Sequence, residues 1–153
     1  MPIQSLVLGQ RVLTLKENQI LLTPFLGWIH KETETDMQFF TLETQSQKIV
    51  LSAKHVIFTK TNQIQPEPVT TFADMVKVGD LLHILENNTI RWEEVVRIQT
   101  DTRTGIYAPL TSSGTILVDN ILASCYADFL NQGVVRHFTT LNTSINLIDL
   151  FLG

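Results

Sequence analysis

The sequence predicts an all-β domain, and three observations lead to this prediction. Short apolar runs are separated by polar turn segments along most of the chain, a pattern typical of β-sandwiches and barrels. A stretch of the first half recurs in the second half. Helical signals are confined to the edges of segments. Together they favour a β-rich domain built from two similar units.

The strands can be assigned in order along the chain. Residues 10–15 alternate partly between polar and apolar side chains, residues 16–19 break the run, and residue 20 resumes it. Paired runs around short polar segments then predict hairpins. Three such hairpins are expected: 39–44 with 48–51, 81–85 with 90–98, and 115–118 with 121–123 across the tight turn Asp119–Asn120.

Helices and connections account for the rest of the chain. Residues 71–75 are expected to form one helical turn, and Ser144 to cap a short C-terminal helix over residues 145–152. Residues 63–71 contain Pro66 and Pro68 and are expected to form a connecting loop.

The repeat relates residues 8–20 to residues 78–90. Gly9 aligns with Gly79, an offset of 70, and the run 48–51 aligns with 115–118 at an offset of 67. Two copies are too few for a solenoid. They predict a pseudo-twofold domain with the functional site near the seam between the copies.

Composition narrows the classes of partner and site. Of 153 residues, 44% are apolar and 17% are charged, which fits a packed core. The net charge is −4 and no basic cluster occurs, so nucleic acid is not an expected partner. The single cysteine, Cys125, argues against a disulfide framework and a cysteine-rich zinc site, and no metal or cofactor is expected.

Targeting and membrane signals are also not expected in this stretch of sequence. Residues 1–5 lack the charged and apolar regions of a signal peptide. The apolar tail 145–152 is far shorter than the roughly 20 residues that span a bilayer. The chain as given is therefore expected to be soluble.

Three segments together resemble one family. They are residues 2–13 around Gly9, residues 51–58, and residues 107–127, the last being the most specific. In this order they are similar to the C-terminal autoprocessing domain of hedgehog proteins, whose Hint fold is shared with inteins. The resemblance implies a Hint domain over residues 1–141 and the start of a sterol-recognition segment over residues 142–153.

The resemblance also implies a chemistry. In hedgehog proteins a cysteine at the start of the domain attacks the preceding carbonyl and converts an amide to a thioester. Because this step loses amide resonance, the leaving amine must be protonated and the carbonyl polarised. The family's Thr-x-x-His motif matches Ser52-Ala53-Lys54-His55, so His55 and Ser52 are the expected catalytic residues. Serine keeps the hydroxyl but lacks the methyl group that stiffens threonine.

Other residues match the family less closely. An aspartate thought to activate the sterol hydroxyl is replaced by His30, which is a base near neutral pH or an exposed strand-end residue. Cys125 matches a second cysteine that neighbours the active site, and it is expected to be buried and inert. His137 is expected to pack rather than react, and His83 carries no motif.

The family's nucleophile has no counterpart here, since neither cysteine, serine nor threonine precedes Pro2. The chain alone is therefore expected to be inactive and to lack the family's first strand. In the complete protein, the expected partners are its own upstream polypeptide in cis and a sterol or another nucleophile. Membrane contact is expected only through a C-terminal segment, and the resemblance implies the secretory pathway.

Two alternatives to an autoprocessing enzyme arise from the same departures. The first is a non-catalytic Hint-fold module that binds or interacts, which the missing nucleophile, His30 and Ser52 favour. The second is an intein-like splicing remnant ending at Asn142-Thr143. Splicing domains place a histidine before that asparagine, and here Leu141 stands in its place.

Overall fold

The computed structural model describes residues 1–127, which form ten strands and two single-turn 3-10 helices. The 3-10 helices are Ile3–Ser5 and Ala73–Met75. The first five strands are β1 (Arg11–Lys16), β2 (Gln19–Glu43), β3 (Lys48–Ser52), β4 (His55–Lys60) and β5 (Val69–Phe72). The other five are β6 (Leu81–Glu86), β7 (Thr89–Glu94), β8 (Arg97–Thr111), β9 (Thr115–Val118) and β10 (Ile121–Ala127). The all-β prediction is confirmed.

The strands form two antiparallel sheets. One contains β1, β2 and β3 in that order, with β8 also paired to β2; the other has the order β5-β4-β10-β6-β7, with β9 paired to β10. The 25-residue β2 pairs with β1 along its first part and with β8 and β3 further on. Its ladder with β8 contains register shifts, which bend both strands.

The repeat in the sequence is a repeat in the structure. β1 and β2 are joined by Glu17-Asn18, and β6 and β7 by Asn87-Asn88, 70 residues later. All four turn residues have positive φ, between 50° and 60°, as expected for the type I′ turn that suits a twisted hairpin. Asparagine tolerates this conformation because its short side chain hydrogen-bonds locally.

The loops that precede the two hairpins also match, hydrogen bond by hydrogen bond. The Gly9 amide donates to the Phe25 carbonyl at 2.9 Å, and the Gly79 amide donates to the Val95 carbonyl at 2.9 Å. Both glycines have positive φ, +82° and +101°, which explains why this residue type occurs at both places. The pseudo-twofold arrangement of the β units follows from these matched contacts.

One core joins the two copies. Its fully buried members come from both halves: Leu42, Ile49 and Ile57 from the first, and Leu82, Ile84 and Ile121 from the second. A smaller cluster contains Leu110, Ile116, Cys125 and Tyr126. The main core is therefore shared between the two copies.

Two predicted boundaries differ from the structure. The predicted strand 90–98 is two strands, because the buried Val95 donates its amide to Asp80 while the Val96 amide donates to Glu43 on β2. The predicted loop 63–71 ends earlier, since Val69–Phe72 pairs with β4 as β5. The helical turn expected at 71–75 is present as Ala73–Met75.

The remaining boundary predictions concern other parts of the chain. The three predicted hairpins are all observed, with the strand bounds given above. The predicted C-terminal helix and the segment 142–153 lie outside the described residues. Within residues 1–127, no helix is long and apolar enough to cross a membrane.

Candidate functional site

The residues of the Ser52–His55 motif sit at a tight connection between two strands. Ser52 ends β3 and His55 begins β4, so only Ala53 and Lys54 separate them. β3 belongs to one sheet and β4 to the other. The motif thus lies where the chain passes between the sheets, and both Ser52 and His55 are buried.

Among residues 1–127, the ring of His55 makes one hydrogen bond. Its Nε2 atom lies 2.7 Å from the backbone carbonyl oxygen of Ser124 on β10. A carbonyl only accepts, so Nε2 must carry the proton and donate it. Burial lowers the pKa of His55, against the opposing effect of the bond to Ser124. The neutral ring therefore has its proton on Nε2, and Nδ1 keeps a lone pair for accepting a proton.

Ser52 and His55 share the wall of one cavity. The cavity has a volume of about 500 Å³, and Ser124 also lines it. Within the described residues, the Ser52 hydroxyl makes no hydrogen bond of its own and is available to a bound group. Most of the remaining wall is apolar and includes Leu6, Val12, Ile106, Ile116 and Val118.

The chain's first residues form part of the same cavity. Met1, Pro2, Ile3 and Gln4 all line it. The Ile3–Ser5 turn is closed by the Ser5 amide, which donates to the Pro2 carbonyl at 3.1 Å. The backbone that leads into β1 therefore lines the same cavity as Ser52 and His55.

Cys125 is adjacent to the site in sequence but points away from the cavity. Ser124 lines the cavity, whereas Cys125 does not line it and packs with Leu110 and Ile116. Its sulfur is fully buried and lies 3.4 Å from the Thr111 hydroxyl oxygen. Burial raises the pKa of the Cys125 thiol to about 11, although the contact with Thr111 opposes the shift. This shift favours the protonated thiol at neutral pH.

His30 lies on β2, outside the cavity wall. It pairs in register with Ala108 of β8, a residue that does line the cavity. Its Nε2 atom is 2.8 Å from a carboxylate oxygen of Glu32, and the His30 side chain is 23% exposed. His30 is thus one strand away from the cavity and has an acidic neighbour.

The other histidines and any metal site can be placed briefly. His83 lies on β6, where its ring stacks on Trp92 at 4.4 Å, and it does not line the cavity. His137 is outside the described residues. Among residues 1–127, no cluster of three or more histidine, cysteine or acidic side chains could hold a metal ion.

The sequence pattern did not identify the contacts around the motif. The Ser124 carbonyl is a backbone acceptor, which no residue type reveals. Asp74 contacts both Ala53 and Lys54 from the second 3-10 helix. Lys54 and Asp74 can both be read from the sequence, but only the fold brings them into contact.

Comparison with known proteins gives the family. The Hint module matches residues 1–150 of the chain. The chain belongs to the Hint family. Its sequence is 37% identical over 136 residues to the Tiggy-winkle hedgehog protein of Danio rerio, covering 86% of this chain and 33% of that protein. It is 30% identical to Warthog protein 6 of Caenorhabditis elegans, covering 91% of the chain and 24% of the relative.

Solved intein structures have the same fold as this Hint domain. The PabCDC21-1 intein superposes with a TM-score of 0.64 at 16% identity, covering 74% of this chain and 68% of the intein. A bacterial intein-like domain from Clostridium thermocellum gives 0.62 at 15% identity, covering 80% and 86%. The hedgehog resemblance inferred from the three motifs is confirmed, and membership of the hedgehog–intein family supports autoprocessing in general. The chain spans about a third or less of the length of these hedgehog and Warthog relatives.

Proposed function

We propose that this Hint domain cleaves a polypeptide joined to its N terminus by an N-to-S acyl shift. The observation that carries the proposal is that His55 and Ser52 line one cavity and that residues 1–4 line the same cavity. A segment that continues upstream from Met1 starts at this cavity. The proposal places its scissile carbonyl in this cavity, near His55.

The chemistry requires a nucleophile that the described chain does not offer. The only cysteine is Cys125, whose thiol is buried and has a pKa of about 11. We therefore place the nucleophilic thiol in the upstream segment, as in hedgehog relatives. Its sulfur attacks the preceding carbonyl carbon, the C–N bond breaks, and a thioester replaces the amide.

The proton follows a path that the geometry of His55 supports. The thiol proton passes to Nδ1 of His55, because Nε2 is committed to the Ser124 carbonyl. The same proton then goes to the departing amine nitrogen. The lowered pKa of buried His55 suits this relay, since the ring is neutral before attack and gives up its proton readily afterwards. The Ser52 hydroxyl donates to the carbonyl oxygen as charge develops there.

The thioester would then be resolved by an acceptor that carries a hydroxyl group, with a sterol as the acceptor implied by the hedgehog resemblance. The acceptor oxygen attacks the thioester carbon, and the thiol is regenerated. We take His30 as the candidate base for this step, because the resemblance puts it at the position of the family's aspartate; Glu32 lies beside its ring, and its strand pairs with that of Ala108, which lines the cavity. By the same resemblance, we place the full-length protein in the secretory pathway.

The decisive experiment extends the chain upstream and asks whether it cleaves itself. A Gly-Cys junction is placed at the spacing that hedgehog relatives use, and dithiothreitol is added to trap the thioester. We expect cleavage at the cysteine, which His55→Ala slows by roughly 100-fold or more. Ser52→Ala should slow it less, and Ser52→Thr should retain the wild-type rate.

His83→Leu is the matched control, because it removes a histidine that does not line the cavity. If the extended wild-type chain stays intact with thiol, the acyl-shift proposal is wrong and the non-catalytic binding module is favoured. His30→Ala separates the second step from the first: thiol-induced cleavage should persist while transfer to an added sterol is lost. Loss of both steps would contradict the role assigned to His30.

A further inference from the structure

The motif turn is held from outside by the second 3-10 helix. The backbone amide of Asp74 donates to the carbonyl of Ala53 at 3.0 Å. The side chain of Asp74 accepts from Lys54, whose Nζ atom is 2.8 Å from Oδ2. One residue therefore binds both members of the two-residue connection between Ser52 and His55.

This external support is anchored in the core. Ala73, the residue before Asp74, is fully buried and belongs to the main core cluster. The Lys54 ammonium group also lies 5.1 Å from the ring centroid of Phe72, within range of a cation–π attraction. Phe72 pairs with Val56 of β4. The helix and the motif turn are thus tied together at several adjacent points.

The carboxylate of Asp74 depends on Lys54. The Asp74 side chain is 21% exposed, and its Oδ1 atom is buried with no hydrogen-bond partner in the described chain. Lys54 is then the only cation that contacts this carboxylate among residues 1–127. A buried charged oxygen without a partner destabilises the folded chain. Loss of Lys54 would leave both oxygens of this carboxylate without a cation.

We propose that Asp74 is a positioning residue for the reaction, acting through Lys54 and Ala53 on Ser52 and His55. The inference rests on the proposed acyl-shift function. Because the connection has two residues, a shift of Ala53 or Lys54 moves Ser52 and His55 directly. A misplacement of about 1 Å in such a site costs on the order of 100-fold in rate.

Cleavage by the upstream-extended chain tests the proposal, measured as a first-order rate at saturating dithiothreitol. We expect Asp74→Ala and Lys54→Met each to slow cleavage by roughly 10- to 100-fold. The double variant should be no slower than either single variant, because both remove the same contact. Asp74→Asn keeps an oxygen that accepts from Lys54 and should recover most of the rate.

Glu86→Ala is the matched control. Glu86 forms an ion pair with Arg91 on the β6–β7 hairpin and does not line the cavity. Its loss should leave the cleavage rate unchanged. If Asp74→Ala does not fold, Lys54→Met remains informative, because the Lys54 side chain is 38% exposed.

A second measurement separates this inference from the proposed function. Long-range ¹H–¹⁵N NMR of the unextended chain at pH 7 reports the His55 tautomer and the proton shared with the Ser124 carbonyl. We expect a protected Nε2 proton in the wild type and faster exchange of that proton in Asp74→Ala and Lys54→Met. If the extended wild type fails to cleave while this change is seen, the proposed function fails, and only the structural effect of Asp74 and Lys54 on His55 stands. An unchanged His55 signal in both variants overturns the positioning role, whatever the cleavage rates.

Discussion

His55 is committed at one ring nitrogen and available at the other. The bond from Nε2 to the Ser124 carbonyl fixes the plane of the ring and selects its tautomer. Burial keeps the ring neutral at physiological pH by lowering its pKa. A fixed ring that keeps a lone pair on Nδ1 is the arrangement expected of a proton relay.

Cys125 has the opposite properties, and its reactivity can be measured. Its thiol is fully buried, and its pKa of about 11 compares with an ordinary value of 9.0. At pH 8 this shift alone reduces the thiolate fraction by about 100-fold. We expect iodoacetamide to label the native chain at least 100-fold more slowly than the chain in denaturant, as followed by intact mass.

Cys125→Ala is the control for that labelling, since it removes the only cysteine. Equal labelling rates in the native and denatured chain would show that the thiol is accessible. That result would reopen Cys125 as a nucleophile. Slow labelling of the native chain would support a structural role for Cys125 rather than a reactive one.

At the scale of the elements, the two hairpins show how the same backbone accommodates different side chains. Leu13 on β1 and His83 on β6 occupy matching positions at an offset of 70. Leu13 is 41% exposed, whereas His83 stacks on Trp92 with the rings 3° from parallel. The His83 Nε2 atom is buried without a hydrogen-bond partner in the described residues. The second hairpin thus has a histidine where the first has a leucine, and water does not reach Nε2 of this histidine.

The buried His83 should make the free energy of unfolding depend on pH. Burial, with a smaller effect of the Lys60 charge, lowers the pKa of His83 to about 4 from an ordinary 6.5. Above pH 6.5 both native and unfolded chains hold His83 neutral, and its contribution to stability is complete. As the pH falls from 6.5 towards 4, only the unfolded chain takes up the proton, so the free energy of unfolding decreases.

One such group changes that free energy by at most about 1.4 kcal/mol per pH unit. We expect His83→Leu to reduce the slope between pH 6.5 and pH 4, measured by urea denaturation at several pH values. A residual slope should remain, because the pKa of His55 is lowered as well. Parallel curves for the wild type and His83→Leu would contradict the assignment.

Local chemistry explains which elements could be predicted from the sequence. The Asp119-Asn120 hairpin and the repeat around Gly9 and Gly79 were predictable, since turn residues and glycines have local conformational causes. The break between β7 and β8 was not, because it depends on the Val96 amide pairing with distant Glu43. For the same reason, His55 was identified by its motif, while Ser124 and Asp74 required the fold.

At the scale of the whole molecule, the two repeated units share one core. Leu42 and Ile57 of the first unit pack in the same buried cluster as Leu82 and Ile121 of the second. Strand β10 also connects the two units, since it pairs with β4 of the first unit and with β6 of the second. The cavity that contains His55 lies along the same junction, with Ser52 from one unit and Ser124 from the other.

The shared core predicts that the units unfold together, and the chain contains a probe for each. Trp28 is on β2 of the first unit and Trp92 is on β7 of the second. Trp92→Phe leaves Trp28 as the only tryptophan, and Trp28→Phe leaves Trp92. Within each single-tryptophan background, Leu82→Ala should destabilise the protein by about 2–5 kcal/mol, because Leu82 is fully buried. Urea titrations followed by fluorescence should show the same loss from both probes, although Leu82 lies in the second unit. A loss seen by Trp92 while the Trp28 transition stays in place would mean that the first unit is stable alone, and that the seam is a contact between two independent folding units.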